Sequence, residues 1–488
     1  MNLYLIGHDY RYAAEQMLLT LFPDERPEYP DGRPTGDRAE LRLMSGTKVT
    51  TVTCVLVYHG QTANGRTSVP NGELTDPAET DRRLQGAVKR AFYRAAMGIG
   101  LPHRPWGMLT GVRPGKLMTP LLAQGLNDAQ AARQFERQYD VSPARADLVV
   151  RTAHATLRAM ESLGEKDVCL YVGIPFCPTR CAYCSFVSQS VEKSMALVPE
   201  FLQALAREIA ATADAVRKAG LRVVSLYIGG GTPTTLSARQ LDALCTQLAA
   251  AFDLSALREF TVEAGRPDTI TADKLQVLRA HRVDRISVNP QTLDDRVLDT
   301  IGRRHTAQDI YDALRLVRET GGFAVNMDLI AGLPGDTPDG FRATLEQVLA
   351  LAPENITVHT LSRKRGSNLM AQDAPIPDGA AVGEMLDFAG TVLPRAGYAP
   401  YYLYRQKFMS GGFENVGWTR PGQENLYNIC IMEELCSILA MGGGASTKLV
   451  RPNGGRLERH IDPKYPTEYI ANIDRICAAK AELEAFFQ

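Results

Sequence analysis

"YVGIPFCPTRCAYCSF", residues 171–186, places Cys177, Cys181 and Cys184 within eight positions of a chain that holds nine cysteines. The run before them, "CLYVGI", is short and rich in apolar and β-branched residues, so the cysteines follow directly after a strand. Pro175 and Pro178 stiffen the loop that carries them. The spacing is C-x3-C-x2-C. Zinc sites usually need four ligands in two separated pairs, and no second pair stands nearby. A disulfide would leave one thiol over. Three thiolates this close suit three corners of a cubic iron–sulfur cluster, whose fourth iron then stays open to a ligand.

Moving outward, the pattern from 168 to about 362 is a regular alternation. The short runs "CLYVGI", "VVSLYIGG", "EFTVEA", "RISVN", "AVNMDLI" and "NITVHTL" are separated by amphipathic stretches of helical length, among them "FLQALAREIAATADAVRKAG", "SARQLDALCTQLAAAF" and "TAQDIYDALRLVRETGG". Strand–helix units in series predict a parallel sheet with helices outside. Six such units make an α/β fold, a partial (β/α)6 TIM-type barrel, with function on the loops after each strand. Residues 1–98 read as an N-terminal α+β domain, 99–166 as a helical connector, 167–365 as the barrel and 366–488 as a C-terminal mixed region that covers the substrate.

With 488 residues, 45% apolar and 22% charged, the chain is too long for one core and has the composition of a soluble globular protein. Its 54 Lys and Arg against 55 Asp and Glu give a net charge of −1, which argues against a nucleic-acid partner. The start, "MNLYLIGHDYRYAAEQ", has no basic segment followed by a long apolar core. No apolar run approaches the roughly 20 residues of a membrane span. A cytoplasmic location without membrane association is expected, where clustered cysteines bind metal more often than they pair. Cys54, Cys169, Cys245, Cys430, Cys436 and Cys477 are scattered and read as small buried hydrophobes. Cys430 and Cys436 are spaced neither for one helix face nor for a usual metal loop.

C-x3-C-x-aromatic-C, with Tyr183 as the aromatic, resembles the radical S-adenosylmethionine (SAM) superfamily. That resemblance implies a [4Fe–4S] cluster on Cys177, Cys181 and Cys184, whose open iron chelates the amino and carboxylate groups of SAM. One electron then cleaves SAM to a 5′-deoxyadenosyl radical that abstracts hydrogen from the substrate. It also implies roles along the rim. Gly230 and Gly231 in "YIGGGTPTTL" resemble the edge that binds the methionine end of SAM, and Glu263 matches the acidic SAM contact. Gln291 shares the rim, Arg303 suits the SAM carboxylate, and Asp328 a ribose hydroxyl. Tyr171 is carried over as a cluster or SAM contact.

"YVGIPFCPTRCAYC", "GGGTPT", "DLIAGLPGDT" and "MGGGAST" resemble the oxygen-independent coproporphyrinogen III oxidases (coproporphyrinogen dehydrogenases), most closely the long HemZ-type subgroup. The implied reaction is oxidative decarboxylation of two propionates of coproporphyrinogen III to protoporphyrinogen IX in haem biosynthesis, with a reducing donor such as flavodoxin or ferredoxin. Arg304, Arg363, Lys364 and Arg365 are candidate cations for the carboxylates of this or a related tetrapyrrole. Phe186 stands where the well-characterised oxidases carry a fourth cysteine. The alternative is therefore a haem-binding chaperone or a haem-modifying relative, with His305 or His359 as axial ligand. A third reading, nucleic-acid binding by "DRRLQGAVKRAFYRAAMG", rests on basic and aromatic residues interleaved along one helix.

Overall fold

The computed structural model describes residues 1–184, 189–190, 194–362, 375–406, 410–451 and 457–487. Phe186, Arg363, Lys364 and Arg365 lie outside them. The chain divides into two compact units, Met1–Val112 with Gly125–Asp147, and Arg113–Gln124 with Leu148–Gln488.

In the first unit, β1 (Asn2–Ile6), β2 (Arg38–Ser45), β3 (Val49–Tyr58) and β4 (Gln61–Pro70) form a sheet in that order, antiparallel except for the β1–β2 pair. Helices α1 (Arg11–Leu21) and α2 (Pro77–Gly98) pack with it around Leu3, Met17, Leu41, Leu56, Val88 and Phe92. β4, "QTANGRTSVP", is too polar to read as a strand. Gly65 lets α2 lie against it, since a Cβ there would collide with the Ala91 carbonyl. The proposed aromatic–basic face of α2 is not a surface stripe. Phe92 and Tyr93 are buried, Arg82 and Arg83 pair with Glu79, and Arg90 and Arg94 donate to the carbonyls of Gln138 and Arg66.

The second unit is built on one sheet of eleven strands among the described residues. β5 (Asp167–Ile174), β6 (Arg222–Gly230), β7 (Glu259–Glu263), β8 (Arg285–Ser287), β9 (Ala324–Ala331) and β10 (Asn355–Thr360) are the six expected strands, paired in parallel in sequence order. β5 is buried along almost its whole length, as a parallel strand covered on both faces must be. The helices between carry the start signals that the sequence displays. Ser237 and Gln240 make a capping box on α4 (Ala238–Ala251), and Thr306 and Asp309 make one on α5 (Ala307–Thr320). α3 (Val198–Lys218) fills the connection from β5 to β6.

The sheet does not close; it is extended at both ends by the C-terminal residues. β11 (Ala399–Arg405) and β12 (Glu414–Thr419) add antiparallel strands beyond β10. β13 (Ser437–Gly442) lies parallel to β5, matching Ile438 to Cys169 and Gly442 to Gly173, and β14 (Ser446–Leu449) and β15 (Glu458–Ile461) follow it. The short helix α6 (Leu426–Glu433) precedes β13. Among the described residues, no helix is long and apolar enough to cross a membrane.

β13 is pinned from behind by buried charge. Lys480, on α7 (Ile473–Ala481), lies 3.0 Å from Glu208 and 3.4 Å from Asp462, and donates to the Ala440 carbonyl at 2.6 Å. Glu208 in turn accepts from Gly442 N at 2.8 Å and from the Tyr469 hydroxyl. Lys480 and Glu208 are almost fully buried, so removing one leaves the other as an uncompensated charge. Lys480→Ala is therefore expected to lower stability by about 3–5 kcal/mol, seen as a fall in the urea midpoint.

Candidate functional site

The site begins where β5 ends. Gly231 N donates to the Ile174 carbonyl and Thr232 N to the Phe176 carbonyl, both at 2.8 Å. These bonds carry the β5–β6 pairing past the strand ends into the cysteine loop. A Cβ on Gly231 would stand 2.5 Å from Phe176 O and 3.0 Å from Cys177 Sγ, and one on Gly230 (φ +115°) would meet Ile174 O at 2.8 Å. Only glycine permits this approach. Cys177 Sγ lies 3.4 Å from the Thr232 hydroxyl. Further along, Cys184 N donates to the Cys181 carbonyl at 3.1 Å, and Ala182 N to the Ile301 carbonyl at 3.0 Å, tying the loop to the residues after β8. Tyr183 packs there against a core that includes Val297, Leu298 and Ile301.

Two guanidinium groups converge on Cys181. Arg266 Nη1 is 3.0 Å from its sulfur, while Nη2 bonds the Thr179 hydroxyl. Arg303 donates from Nη1 to the Asn289 carbonyl at 2.6 Å. Burial alone would raise the Cys181 thiol, but the charges of Arg303 and Arg266 outweigh it and hold the thiol below its usual value. Among the described residues, Arg303 Nε and both ring nitrogens of His305 are buried without a hydrogen-bond partner. His305 is held near pKa 3 by burial and by Arg303 and Arg266.

Glu263 closes β7 and accepts from the Tyr227 hydroxyl at 2.7 Å. Gly229 leaves room for it, since a Cβ there would stand 3.1 Å from the carboxyl carbon. Burial raises its pKa to about 7 against the Tyr227 bond, with the charge of Asp328 adding to the rise. Asp328 sits within β9 rather than at its end. It accepts from Asn289 Nδ2 and Asn326 Nδ2 at 2.8 Å each, and lies 3.8 Å from His359. Burial opposes its ionisation, but His359 and these bonds hold it below the usual carboxylate range. Gln291 is buried with φ +65°, and its backbone bonds Asp328 O and Ile330 N. Such a left-handed residue costs of order 1 kcal/mol, a strain typical of functional loops.

Tyr171 lies within β5. Its ring stacks 6.1 Å from Tyr227 and 6.0 Å from Tyr427, and so stands beside the Tyr227–Glu263 pair. Arg304 is on the exposed side, next to buried Arg303. The sequence reading passed over Arg266, Asn289 and Tyr227. Arg266 follows Glu263 by three residues in "EAGRPDTI", yet arginine is common in loops and only the fold turns it towards Cys181.

The donor set fits an iron–sulfur cluster. Three partly exposed thiols share one loop, with two buried cations to offset their charge.

The raised Glu263 pKa has a consequence for the cofactor-free chain. A carboxyl shifted up on folding binds more protons native than unfolded, so it lowers stability as pH rises from about 4.5 to about 7. Glu263→Gln should therefore melt higher than the parent at pH 8, with the gap closing by about pH 5. Thermal unfolding at both pH values checks this.

Residues 171–348 match the model of the radical SAM superfamily. The chain is 39% identical over 422 residues to the oxygen-independent coproporphyrinogen-III oxidase-like protein HemZ of Bacillus subtilis, covering 84% of each. It is 29% identical to the heme chaperone HemW of Lactococcus lactis, over 66% of this chain and 80% of that one. The solved coproporphyrinogen III oxidase HemN of Escherichia coli, a radical SAM enzyme, superposes with a TM-score of 0.51 at 25% identity, covering 66% and 72% of the two chains. The superfamily uses a [4Fe–4S] cluster and SAM. With the cysteine loop and its glycine-bounded strand in place, this chain belongs to the radical SAM superfamily and, within it, to the oxygen-independent coproporphyrinogen III oxidase-like family.

Proposed function

We propose that this chain oxidatively decarboxylates two propionate side chains of coproporphyrinogen III to vinyl groups, giving protoporphyrinogen IX. When bound, the cluster and SAM supply a 5′-deoxyadenosyl radical that takes a hydrogen atom from the β-carbon of a propionate. Loss of CO2 and of one further electron to an acceptor completes each vinyl group. Cys177, Cys181 and Cys184 are the cluster ligands in this reading. Arg266 favours the thiolate of Cys181. Arg303 does so too, and its Nε is left for the SAM carboxylate.

Glu263, ionised by the approach of an ammonium group, takes the SAM amine. Gly230 and Gly231 allow the methionine end of SAM to approach the backbone, Gln291 lines the rim, and Asp328 holds a ribose hydroxyl. Tyr171 supports this floor through its stack with Tyr227. Arg304, with Arg363, Lys364 and Arg365 outside the described residues, receives the tetrapyrrole carboxylates, and a flavodoxin or ferredoxin supplies electrons.

The observation that carries this reading is the pair of buried guanidiniums on a cysteine triplet at a strand end, in a chain 39% identical to a coproporphyrinogen-III oxidase-like protein. The likeness to heme chaperones favours a second reading, haem binding without decarboxylation. Against it, His305 is buried beside two arginines and His359 faces Asp328.

Anaerobic turnover of reconstituted protein with SAM, a reductant and coproporphyrinogen III separates the two. Mass spectrometry is expected to show loss of two CO2 per substrate, abolished by Cys181→Ala. SAM cleavage without decarboxylation, together with stoichiometric haem binding by absorbance titration, would replace the proposal with the second reading.

A further inference from the structure

Cys169, Cys430 and Cys436 are buried, as their apolar surroundings in the sequence suggest, and the fold also brings them together. All three sulfurs lie within 4.8 Å of one another, with Cys169 Sγ and Cys436 Sγ 3.6 Å apart. Cys169 belongs to β5, Cys430 to α6, and Cys436 stands just before β13. The parallel register that matches Ile438 to Cys169 brings Cys436 alongside β5. α6 is fixed by its own start, where Leu426 N and Tyr427 N both donate to the Glu259 carboxylate at 2.7 Å. It ends at Glu434, whose left-handed backbone (φ +56°) reverses the chain and turns Cys436 back towards Cys430. A spacing of six residues that suits neither a helix face nor a metal loop thus converges through a helix cap.

From this geometry we propose that Cys169, Cys430 and Cys436 form a metal site, distinct from Cys177, Cys181 and Cys184, that takes one thiophilic d10 ion, monovalent copper in particular. Three sulfurs about 2.3 Å from one ion in a trigonal plane stand roughly 4.0 Å apart, a spacing that sulfurs within 4.8 Å of one another can supply. Zinc is almost always four-coordinate in structural sites. Among the described residues, no fourth His, Cys, Asp or Glu ligand joins this trio. Soft thiolates select monovalent copper. The shell of Val224, Ile438, Leu163, Leu426, Leu435 and Tyr427 is apolar or aromatic, and all three cysteines are buried in it. Each thiol that binds the ion as thiolate releases its proton. The bound ion joins β5, α6 and β13, and so clamps the added strand to the one that leads into the radical site.

The test uses the full chain with Cys177→Ala, Cys181→Ala and Cys184→Ala, which removes the other thiol cluster. Under anaerobic conditions it is titrated with Cu(I) against a chromophoric Cu(I) chelator. One equivalent held, a rise in melting temperature, and an all-sulfur three-coordinate shell by X-ray absorption are expected. Adding Cys430→Ser or Cys436→Ser should abolish that equivalent in protein whose circular dichroism is unchanged. Failure to retain copper would overturn the proposal. So would retention in both serine variants, a shell containing nitrogen or oxygen donors, or a Cys169–Cys436 disulfide in anaerobically isolated protein. If a serine variant does not fold, the absorption spectrum of the parent chain decides.

Discussion

The close backbone packing around Gly173–Phe176 governs the rest of the structure. On one side, Gly230 and Gly231 press against Ile174 and Phe176 with two hydrogen bonds. On the other, Gly442 lies against the Gly173 carbonyl, and Gly443 N donates to it at 3.2 Å while its Cα faces Pro175. Two triple-glycine turns, at 229–231 and 442–444, thus flank the strand that delivers the cysteines. No side chain larger than hydrogen fits most of these contacts, so the loop leaves the sheet in one direction. The second turn depends on the C-terminal residues, through Glu208 and Lys480, which makes that region part of the site's foundation.

Electrostatics then divides the rim into two halves. Around Cys181 the buried charge is positive, from Arg266 and Arg303, and it favours thiolate. Around Glu263, burial and the charge of Asp328 disfavour the carboxylate, against the bond donated by Tyr227. An amphoteric ligand with one anionic and one cationic end would find a partner for each, with the cationic end restoring the ionisation of Glu263. Asp328 keeps its charge because Asn289, Asn326 and His359 surround it.

Much of this was legible before the structure. The alternation of β-branched runs and amphipathic stretches specified all six barrel strands, because both periods are local signals that tertiary packing did not override. The cysteine loop and the glycine turn could be placed on the rim for the same reason. What could not be read were contacts that depend on non-local pairing. β13 joins β5 across more than 260 residues, so neither the seventh parallel strand nor the Cys169–Cys430–Cys436 convergence left a periodic trace. β4 was missed because its partner α2 accepts it through a glycine rather than an apolar stripe. Arg266 and Asn289 were missed because a polar residue in a loop carries no sign of where it will point.

In the proposed reading, Cys177, Cys181 and Cys184 hold a cluster whose remaining iron is open to SAM. Electron paramagnetic resonance of the reconstituted, reduced protein tests it most directly, recorded with and without SAM. A [4Fe–4S]+ signal that changes its g values on addition of SAM, and that is lost in Cys184→Ala, is the predicted result. A signal indifferent to SAM, or one that survives the loss of Cys184, would contradict it.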